Sequence, residues 1–525
     1  MAYRFLPPSD FDYIMGRKAY AMRILLLLLP CLLLGQLNPQ QRPNIIYFLA
    51  DDLGYGEIGV YGQEKIQTPN MDALAAEGML FTQHYSAAPV CAPARCMFLT
   101  GKHAGNAYVR SNDEWRERGE VWDFAAVSKD PKLEGQRPMP QSTVTVAKLL
   151  QKAGYDTSIF GKWGLGGPTT HSVPTRMGFD YFYGYNCQRQ AHNLYPLHLW
   201  ENEDKVALNN ALVQPHTGLD KGADPNLSAS YARFTQPDYA PTLIHDKAVS
   251  YLKRKRDKPF FMYYASPLPH VPLQAPESWV AGYQDKIPET GPYLGKSYFP
   301  NQTPRATYAA MISYLDWQLG DLIRVLKETG AYENTIIFVT SDNGPTYTGG
   351  VDYEYFESSK PFTNGRGRTK GSVYEGGLRV PLIVSWPGKV ENGSTSDHVS
   401  VFYDMMPTFC ELAQTQVPQD TDGVSLLPTL LGEKQAQHDF LYWEFTGYKG
   451  QQAVRMGKWK AVRQKIQEGV LRTELYDLEE DILEQHDVSQ NHPEIVAQIE
   501  RFMQQEHTQA PNPKFRMKAL GDSME

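Results

Sequence analysis

Two pairs of oxygen-bearing side chains follow apolar runs in this chain. Asp51 and Asp52 come directly after one run, and Asp342 and Asn343 come after another. Adjacent carboxylates repel each other, and a hard divalent cation relieves that repulsion. Ligands that are all oxygen suit calcium or magnesium better than zinc. The alternative for residues 342–344 is a simple turn, because Asp-Asn-Gly favours turns.

A lone cysteine, Cys91, begins a segment that predicts a helix, and Arg95 follows it by one helical turn. A free cysteine is commonly an inert buried residue, but the amino end of a helix favours anions. Isolated basic residues occur elsewhere as Lys162, His270 and Lys370. Together these residues predict a cation, an activated nucleophile and surrounding positive charge, which suit attack on a tetrahedral oxyanion ester.

The apolar runs before these residues predict strands, and helical segments alternate with them. Strands are predicted at 44–50, 155–160, 259–265, 335–340 and 380–385, and helices near 68–74, at 91–99, 145–153, 305–329 and 493–505. This alternation predicts a large, mostly parallel sheet covered by helices on both faces. Ligands bind beyond the carboxyl ends of such strands, which is where several of the candidate residues lie.

A chain of 525 residues is long enough for one large α/β domain and a smaller one. We predict a catalytic domain at 43–430 and a smaller α+β subdomain at 431–510, with an antiparallel sheet and a helix. Residues 511–525 are predicted to form a loose tail. Much of the stretch from 188 to 295 is predicted to form loops over the site.

The amino-terminal residues 1–35 predict a signal peptide. Arg17, Lys18 and Arg23 precede an apolar stretch at 24–34. That length fits a secretory signal and is short for a membrane-spanning helix, although a membrane anchor is the alternative. We therefore expect an exported protein, periplasmic or secreted, without stable membrane insertion.

The composition excludes some partners. The formal net charge of -8 argues against a nucleic-acid partner, so an anionic substrate must be held by local positive charge. The 5 cysteines show no C-x-x-C spacing, so a disulfide scaffold is not predicted. Cys91 and Cys96 are expected to be unbridged.

Cys-x-Pro-x-Arg at 91–95, followed by Leu-Thr-Gly at 99–101, resembles the signature of the sulfatase family of the alkaline phosphatase superfamily. Further matching segments occur in the family order at 51–52, 161–163, 269–270, 340–344, 370–381 and 474–478. The resemblance extends over roughly residues 44 to 505. It implies an alkaline phosphatase-like fold with a small carboxyl-terminal subdomain.

The resemblance also implies a cofactor and a modification. A maturation enzyme would oxidise Cys91 to formylglycine, whose hydrated aldehyde would attack the sulfur of a sulfated small molecule or glycan. The implied calcium ligands are Asp51, Asp52, Asp342, Asn343 and the modified Cys91. Arg95 would hold the hydrate. Lys162, His270 and Lys370 would bind the sulfate, and His270 or Lys162 would protonate the leaving oxygen.

One departure from the family pattern affects catalysis. The family often has Gly-Lys-Trp-His, whereas this chain has Gly164 at the fourth position. The absent histidine usually helps to expel sulfate, and we hypothesise that His103 or His192 replaces it. A proton acceptor must lie within reach of the group that it deprotonates.

Three questions stay open at this point. Aromatic residues at 181, 183, 185, 195 and 200 could form a sugar-stacking wall, although such clusters belong more often to a core. A phosphodiesterase or phosphonate monoester hydrolase could use the same nucleophile. An inactive protein that binds sulfated glycans is the third possibility.

Overall fold

Strand β1, Asn44–Asp51, lies inside the large sheet of the computed structural model, which describes residues 42–525. Ile45 and Tyr47 belong to the core on one face of the sheet, whereas Ile46 belongs to the core on the other face. Successive side chains of a strand point in opposite directions. A strand covered on both faces therefore needs the near-continuous apolar run seen here.

Twelve strands lie between residues 44 and 401, and ten of them form the large sheet. The strands that follow β1 are β2 (Met79–Phe81), β3 (His84–Tyr85), β4 (Asp156–Lys162), β5 (Tyr181–Tyr185), β6 (His198–Glu201), β7 (Asp204–Ala207), β8 (Phe260–Pro269), β9 (Thr335–Ser341), β10 (Leu382–Ser385), β11 (Ser394–Ser396) and β12 (Ser400–Val401). The large sheet has the order β11-β2-β10-β9-β1-β8-β4-β5-β6-β7, and β3 pairs with β12. Strands β9, β1, β8, β4 and β5 run parallel, and antiparallel β10 and β6 flank them. The predicted mixed, mostly parallel sheet is confirmed.

Helices cover both faces of the large sheet, as predicted. They are α1 (Pro69–Ala76), α2 (Cys91–Thr100), α3 (Phe124–Lys129), α4 (Val146–Lys152), α5 (Ala240–Leu252), α6 (Glu277–Gln284), α7 (Pro304–Glu328), α8 (Glu375–Leu378), α9 (Met405–Leu412), α10 (Leu427–Leu430) and α11 (Pro493–Glu506). Helices α2, α4 and α9 contribute to one core, and α1, α5, α6 and α7 contribute to the other. Helix α7 begins with a proline, which fits a first helical position because its missing N–H is not needed there.

A second, four-stranded antiparallel sheet lies in the carboxyl-terminal part. Its strands are β13 (Leu441–Phe445), β14 (Gln451–Met456), β15 (Trp459–Gln464) and β16 (Glu474–Asp477). Helix α11 contributes Ile499 and Met503 to the core that includes this sheet. The small separate sheet is confirmed. Residues Pro43–Glu525 form one compact unit, and the predicted boundary at residue 430 stays a prediction.

The last residues contact the rest of the protein, so the prediction of a loose tail at 511–525 is wrong. Phe515 is only 4% exposed and Met517 only 1%. Asp522 accepts a hydrogen bond from the Met517 backbone N–H at 2.7 Å and lies 3.2 Å from His507 Nε2. Two large apolar side chains in a short segment supply enough buried surface to fix its position.

The predicted signal peptide, residues 1–35, lies outside the described residues. Between residues 42 and 525, no helix has both the length and the apolar character that crossing a membrane requires. Cysteines 91, 96, 187 and 410 are buried and free.

Candidate active site

The carboxyl ends of four parallel strands lie side by side. Ala50 of β1 pairs with Ser341 of β9, and Gly161 of β4 pairs with Ala265 of β8. The residues that follow these positions therefore meet at one edge of the sheet. We call the side chains gathered there the reacting cluster: Asp51, Asp52, Cys91, Arg95, Lys162, His270, Asp342, Asn343 and Lys370. Asp51, Lys162, His270 and Asp342 lie at or just beyond strand carboxyl ends, as the sheet rule predicts, whereas Cys91 and Arg95 come from a helix and Lys370 from a turn.

Oxygen atoms converge at the ends of β1 and β9. One potential ligand atom from each of Asp51, Asp52, Cys91 and His270 lies within 4.8 Å of the others, and all four residues are buried. Asn343 Nδ2 donates to Asp52 Oδ1 at 2.8 Å. Asp52 lies in the bend that follows β1 and has a positive φ of 69°, which is uncommon for a residue other than glycine.

The ligand set fits a hard divalent cation. Asn343 Oδ1 is buried and accepts no hydrogen bond, which leaves an amide oxygen available as a ligand. Burial, followed by repulsion from Asp51, raises the pKa of Asp342 to about 7. A nearby cation favours the ionised form of such carboxyl groups. The site thus has the carboxylates and the free amide oxygen that calcium prefers.

Cys91 is the first residue of α2 and is 1% exposed. Its Sγ donates to Asp51 Oδ1 at 3.2 Å. Burial, and then the charges of Asp342 and Asp51, raise the pKa of the Cys91 thiol well above its ordinary value. Because the thiolate is the nucleophilic form of cysteine, the unmodified side chain is poorly suited to attack an ester.

Three cations surround the carboxylates. Arg95 Nε and Nη2 lie 3.1 and 3.0 Å from Asp342 Oδ2, and Nη1 donates to the Lys162 carbonyl oxygen at 2.8 Å. Lys162 Nζ contacts Asp51 Oδ2. Lys370 Nζ lies 2.7 Å from Asp52 Oδ2.

These ion pairs keep the lysines charged. Burial is the largest single cause and alone would lower the pKa of each lysine. The summed attraction of nearby anions, led by Asp51 at Lys162 and by Asp52 at Lys370, outweighs it. The pKa of both lysines is therefore raised. Both side chains can present positive charge to an oxyanion at neutral pH.

His270 and His192 stack on each other, with ring centroids 4.9 Å apart and planes 15° apart. Burial is the main cause that lowers the pKa of both rings well below the ordinary value, so both are neutral at neutral pH. His270 Nδ1 donates to the Val271 carbonyl oxygen at 2.5 Å, which leaves Nε2 with its lone pair. His270 Nε2 lies 3.6 Å from Asp52 Oδ2.

His103 lies outside the reacting cluster. It follows the far end of α2, and a ten-residue helix separates its ends by about 15 Å. His103 Nε2 lies 2.9 Å from Glu506 Oε2, and Nδ1 accepts from the Gly105 N–H at 3.0 Å. His103 is therefore too far from Cys91 to replace the missing histidine, whereas His192, stacked on His270, stays the predicted replacement.

Gln188 occupies the space beside Gly164. A Cβ added at Gly164 would lie 3.3 Å from Gln188 Oε1, and the backbone φ of 74° also favours glycine there. Gln188 Oε1 is buried without a hydrogen-bond partner. The sequence had given no sign that Gln188 takes part in the site.

The reacting cluster opens into a cavity of about 640 Å³. His192, His270 and Lys370 line it, and so do residues from distant segments that sequence reasoning missed. We call four of these the rim: Arg116, Trp122, Tyr448 and Lys514. No local pattern links them, because they come from a loop before α3, a turn after β13 and the final segment.

The predicted sugar-stacking wall does not line the cavity. The side chains of four of these residues are buried in the two cores: Tyr183, Tyr185, Tyr195 and Trp200. Tyr181 is partly buried and packs against the same core as Tyr183. Their aromatic rings serve packing, which was the commoner interpretation. The aromatic side chains that do line the cavity are Trp122, Tyr298, Phe445 and Tyr448.

Comparison with known families agrees with this geometry. The family model described as Sulfatase matches residues 43–415. The chain belongs to the sulfatase family. A second model, described as N-sulphoglucosamine sulphohydrolase, C-terminal, matches residues 368–509. The family and the enzyme class predicted from the sequence, a sulfuric ester hydrolase, are confirmed.

Individual sulfatases resemble this one over most of their length. N-acetylgalactosamine-6-sulfatase of Canis lupus familiaris is 31% identical over 449 residues, covering 83% of this chain and 74% of the relative. Arylsulfatase A of Homo sapiens is 32% identical over 438 residues, covering 80% of this chain and 74% of the relative. The crystal structure of Ps i-CgsB has a TM-score of 0.70 and 27% identity, covering 92% of this chain and 95% of that one. Ps i-CgsB has also been solved in complex with k-i-k-neocarrahexaose. That structure has a TM-score of 0.69 and 26% identity, covering 92% of this chain and 95% of the other.

Proposed function

We propose that this sulfatase is an exported, calcium-dependent enzyme that hydrolyses a sulfate monoester of a carbohydrate through a formylglycine made from Cys91. The observation that carries the proposal is the position of Cys91, at the start of α2 and within hydrogen-bond distance of Asp51. A relative named for N-acetylgalactosamine 6-sulfate and a structural relative bound to a neocarrahexaose support a carbohydrate substrate. The likeness to arylsulfatase A keeps aryl sulfates as test substrates.

Calcium would be held by Asp51, Asp52, Asp342 and Asn343, together with the modified residue 91. Bound there, it would supply positive charge close to the sulfate oxygens and the nucleophile. Asn343 Oδ1, which is buried and without a partner, supports a ligand role for the amide. Dialysis against EGTA is expected to lower the melting temperature, and added calcium is expected to restore it. An unchanged melting temperature after verified metal removal would take calcium out of the proposal.

The hydrated aldehyde made from Cys91 is the proposed nucleophile, and the positive side chains around it stabilise the transition state. Lys162 and Lys370 keep their charge and are proposed to bind the sulfate oxygens. His270 joins them when its Nε2 carries a proton. Arg95 is buried and doubly bonded to Asp342, so its charge is fixed in position before the substrate arrives. Charge that is placed in advance avoids reorganisation when negative charge develops on the leaving oxygen.

Two proton transfers are assigned to side chains of the cavity. Lys162, whose raised pKa keeps it protonated, gives a proton to the leaving alcohol oxygen. His270 serves in this role only after its Nε2 has taken up a proton. His192 is the proposed base for the later release of sulfate, because its neutral imidazole stacks on His270 in the same cavity. Gln188, beside Gly164, has an amide that cannot act as a base but can accept a hydrogen bond.

Export is part of the proposal. The predicted signal at residues 1–35 supports it, and a maturation enzyme in the host is then a required partner. Fractionation of the native host, with amino-terminal sequencing of the mature protein, tests this step. Recovery of uncleaved protein in the cytoplasm would contradict export.

The decisive experiment is mass spectrometry of peptides from the native protein. Oxidation of Cys91 to the aldehyde is expected to lower the peptide mass by about 18 Da. Cys96 lies in the same helix and is also buried, so it is the matched control that should keep its thiol. An unmodified Cys91 in active native protein would contradict the proposed nucleophile.

Parallel assays on sulfate and phosphate esters test the reaction. We expect turnover of 4-methylumbelliferyl sulfate and of sulfated sugars to exceed that of bis(4-nitrophenyl) phosphate. Predominant phosphodiester or phosphonate turnover would favour the first alternative. Binding of sulfated sugars without turnover, despite the aldehyde, would favour an inactive binding protein.

A further inference from the structure

The cavity reaches beyond the reacting cluster to an exposed indole. Its volume of about 640 Å³ lies in the range of sites that enclose a whole small ligand, which is more than a single sulfate group needs. Trp122 is 37% exposed and lines this cavity together with Arg116. Exposed aromatic surface in a concave site is characteristic of ligand recognition.

Two arginines hold this indole. Cζ of Arg189 lies 2.9 Å from the ring centroid of Trp122, and Cζ of Arg116 lies 5.1 Å from it. Arg189 is 3% exposed, and its Nε is buried without a hydrogen-bond partner. Within the described part of the chain, neither arginine forms an ion pair with a carboxylate. Glu114 attracts the charge of Arg189 from beyond ion-pair distance, so Arg116 is the one of these two arginines without a carboxylate partner in the described residues. Positive charge without such a partner favours an anionic ligand nearby.

The acidic residues of the same cavity are already engaged. Asp113 lies 2.7 Å from Arg137 Nε and 3.2 Å from Lys514 Nζ. Glu114 accepts a hydrogen bond from Gln136 Nε2 at 2.6 Å. Burial raises the pKa of Glu114 to about 7, so part of this group is uncharged at neutral pH. Arg116 and Lys514 are both exposed, but Lys514 is paired with Asp113 and Glu117, so Arg116 is the rim cation that is available to a ligand.

We propose that Trp122 and Arg116 form a second subsite, which binds the sugar next to the one that carries the scissile sulfate. The indole supports the ring of that sugar, and Arg116 binds an anionic group on it, either a sulfate or a carboxylate. Arg189 fixes the position of the indole. This inference rests on the proposed function and narrows it, because the substrate is then an oligosaccharide with at least two anionic groups.

Competition against a small substrate tests the subsite. The reporter is hydrolysis of 4-methylumbelliferyl sulfate, which has no second sugar. The competitors are k-i-k-neocarrahexaose, with sulfated neighbours, and a chondroitin 6-sulfate hexasaccharide, with carboxylate neighbours. Arg116→Ala is expected to raise the inhibition constant of at least one competitor about tenfold, the effect of losing one charge-assisted hydrogen bond. The competitor that responds identifies the anion.

The control variant is Arg118→Ala, because Arg118 lies two positions away, stacks on Trp115 and does not line the cavity. It should leave both inhibition constants unchanged. Trp122→Ala should weaken inhibition about fivefold, and Trp122→Phe should recover part of the loss. Arg118→Ala should also keep the KM for the reporter within about twofold. In the Arg116 and Trp122 variants, the inhibition constants should change more than the KM for the reporter, and the Arg116 effect should shrink in high salt because this side chain is exposed.

Failure of the subsite and failure of the proposed function give different results. If the wild type hydrolyses the reporter but neither hexasaccharide inhibits it, or if Arg116→Ala and Arg118→Ala behave alike, the subsite is wrong. If reporter turnover is absent from protein that carries the aldehyde, the proposed function itself is wrong. Equal loss of reporter and oligosaccharide affinity in Trp122→Ala and Trp122→Phe would also overturn the subsite, because it would indicate a structural defect.

Discussion

Most of the reacting cluster comes from the ends of neighbouring strands and the first half of one helix, with Lys370 from a turn before α8. The rim comes from loops, turns and the last residues of the chain. In the reacting cluster, Arg95 is wholly buried and forms three hydrogen bonds. In the rim, Arg116, Tyr448 and Lys514 are exposed, and Lys514 pairs with Asp113 and Glu117. Buried charges interact strongly and are costly to leave unpaired, whereas exposed ones are screened by water and salt.

This difference separates two tasks within one cavity. The sheet fixes the groups that perform the chemistry, and their mutual contacts leave little freedom for substitution. The rim side chains Arg116, Tyr448 and Lys514 are exposed, so replacing them leaves no buried charge unpaired. We therefore expect substitutions in the reacting cluster to act on turnover, and substitutions in the rim to act on the choice of substrate.

The largest expected effect is that of Cys91→Ala. Loss of the nucleophile should reduce kcat for 4-methylumbelliferyl sulfate by roughly 10⁴-fold or more. Cys96→Ala in the same helix should retain most of the activity, because Cys96 contributes only packing. If Cys91→Ala kept more than a tenth of wild-type turnover, the chemistry could not be assigned to the reacting cluster.

Lys370→Ala should reduce kcat/KM by about 10²- to 10³-fold, as removal of a pre-placed charge at a reacting oxyanion does. The matched rim variant is Lys514→Ala, which removes a cation from the same cavity but one that is half-exposed and paired with Asp113. Its effect on the same substrate should be about threefold or less. Steady-state kinetics of the two variants, side by side, measure the contrast between the regions directly. Equal losses would abolish it.

His192→Ala should reduce kcat about a hundredfold, which is the lower range for loss of a general base. His103→Gln, at the other end of α2, should change kcat by less than about twofold because its side chain contacts Glu506. Single-turnover experiments that separate alcohol release from sulfate release should show the His192 defect in the second step. A defect in His103→Gln alone would reverse the assignment.

Phe515→Ala should have the smallest effect on the reporter reaction. Truncation of this buried side chain is expected to lower the free energy of unfolding by about 3 kcal/mol, because it leaves a cavity where the last segment packs. Urea denaturation measures the loss, and Lys518→Ala in the neighbouring exposed turn is the control. At urea concentrations below the unfolding transition, the kinetic constants for 4-methylumbelliferyl sulfate should stay near those of the wild type. A large loss of reporter kcat would show that the rim and the reacting cluster are not separable.

Much of the reacting cluster could be predicted from the sequence because each member follows a strong local pattern. The apolar run before Asp51 identifies a buried strand, and parallel strands bring their carboxyl ends together. The rim could not be predicted in this way, since no periodicity relates Trp122 to Lys514. The hairpin of β6 and β7 was also missed within a stretch assigned mostly to loops.

The two candidate histidines show where sequence distance misleads. His103 is close to Cys91 in the chain, but the intervening helix carries it away from the reacting cluster. His192 is far from Cys91 in the chain, yet a short turn after β5 brings it onto His270. Proximity in an α-helix depends on length along its axis, which the one-dimensional spacing does not convey.

The alternation of side chains along β1 has a consequence for how the protein unfolds. Because neighbouring residues of this one strand contribute to opposite cores, displacing β1 would expose apolar surface on both faces of the sheet at once. Neither layer of helices can therefore be released while the other keeps its full packing. We expect the large sheet and the helices on its two faces to unfold as one cooperative unit, with slow amide hydrogen exchange in β1 that reports the global transition.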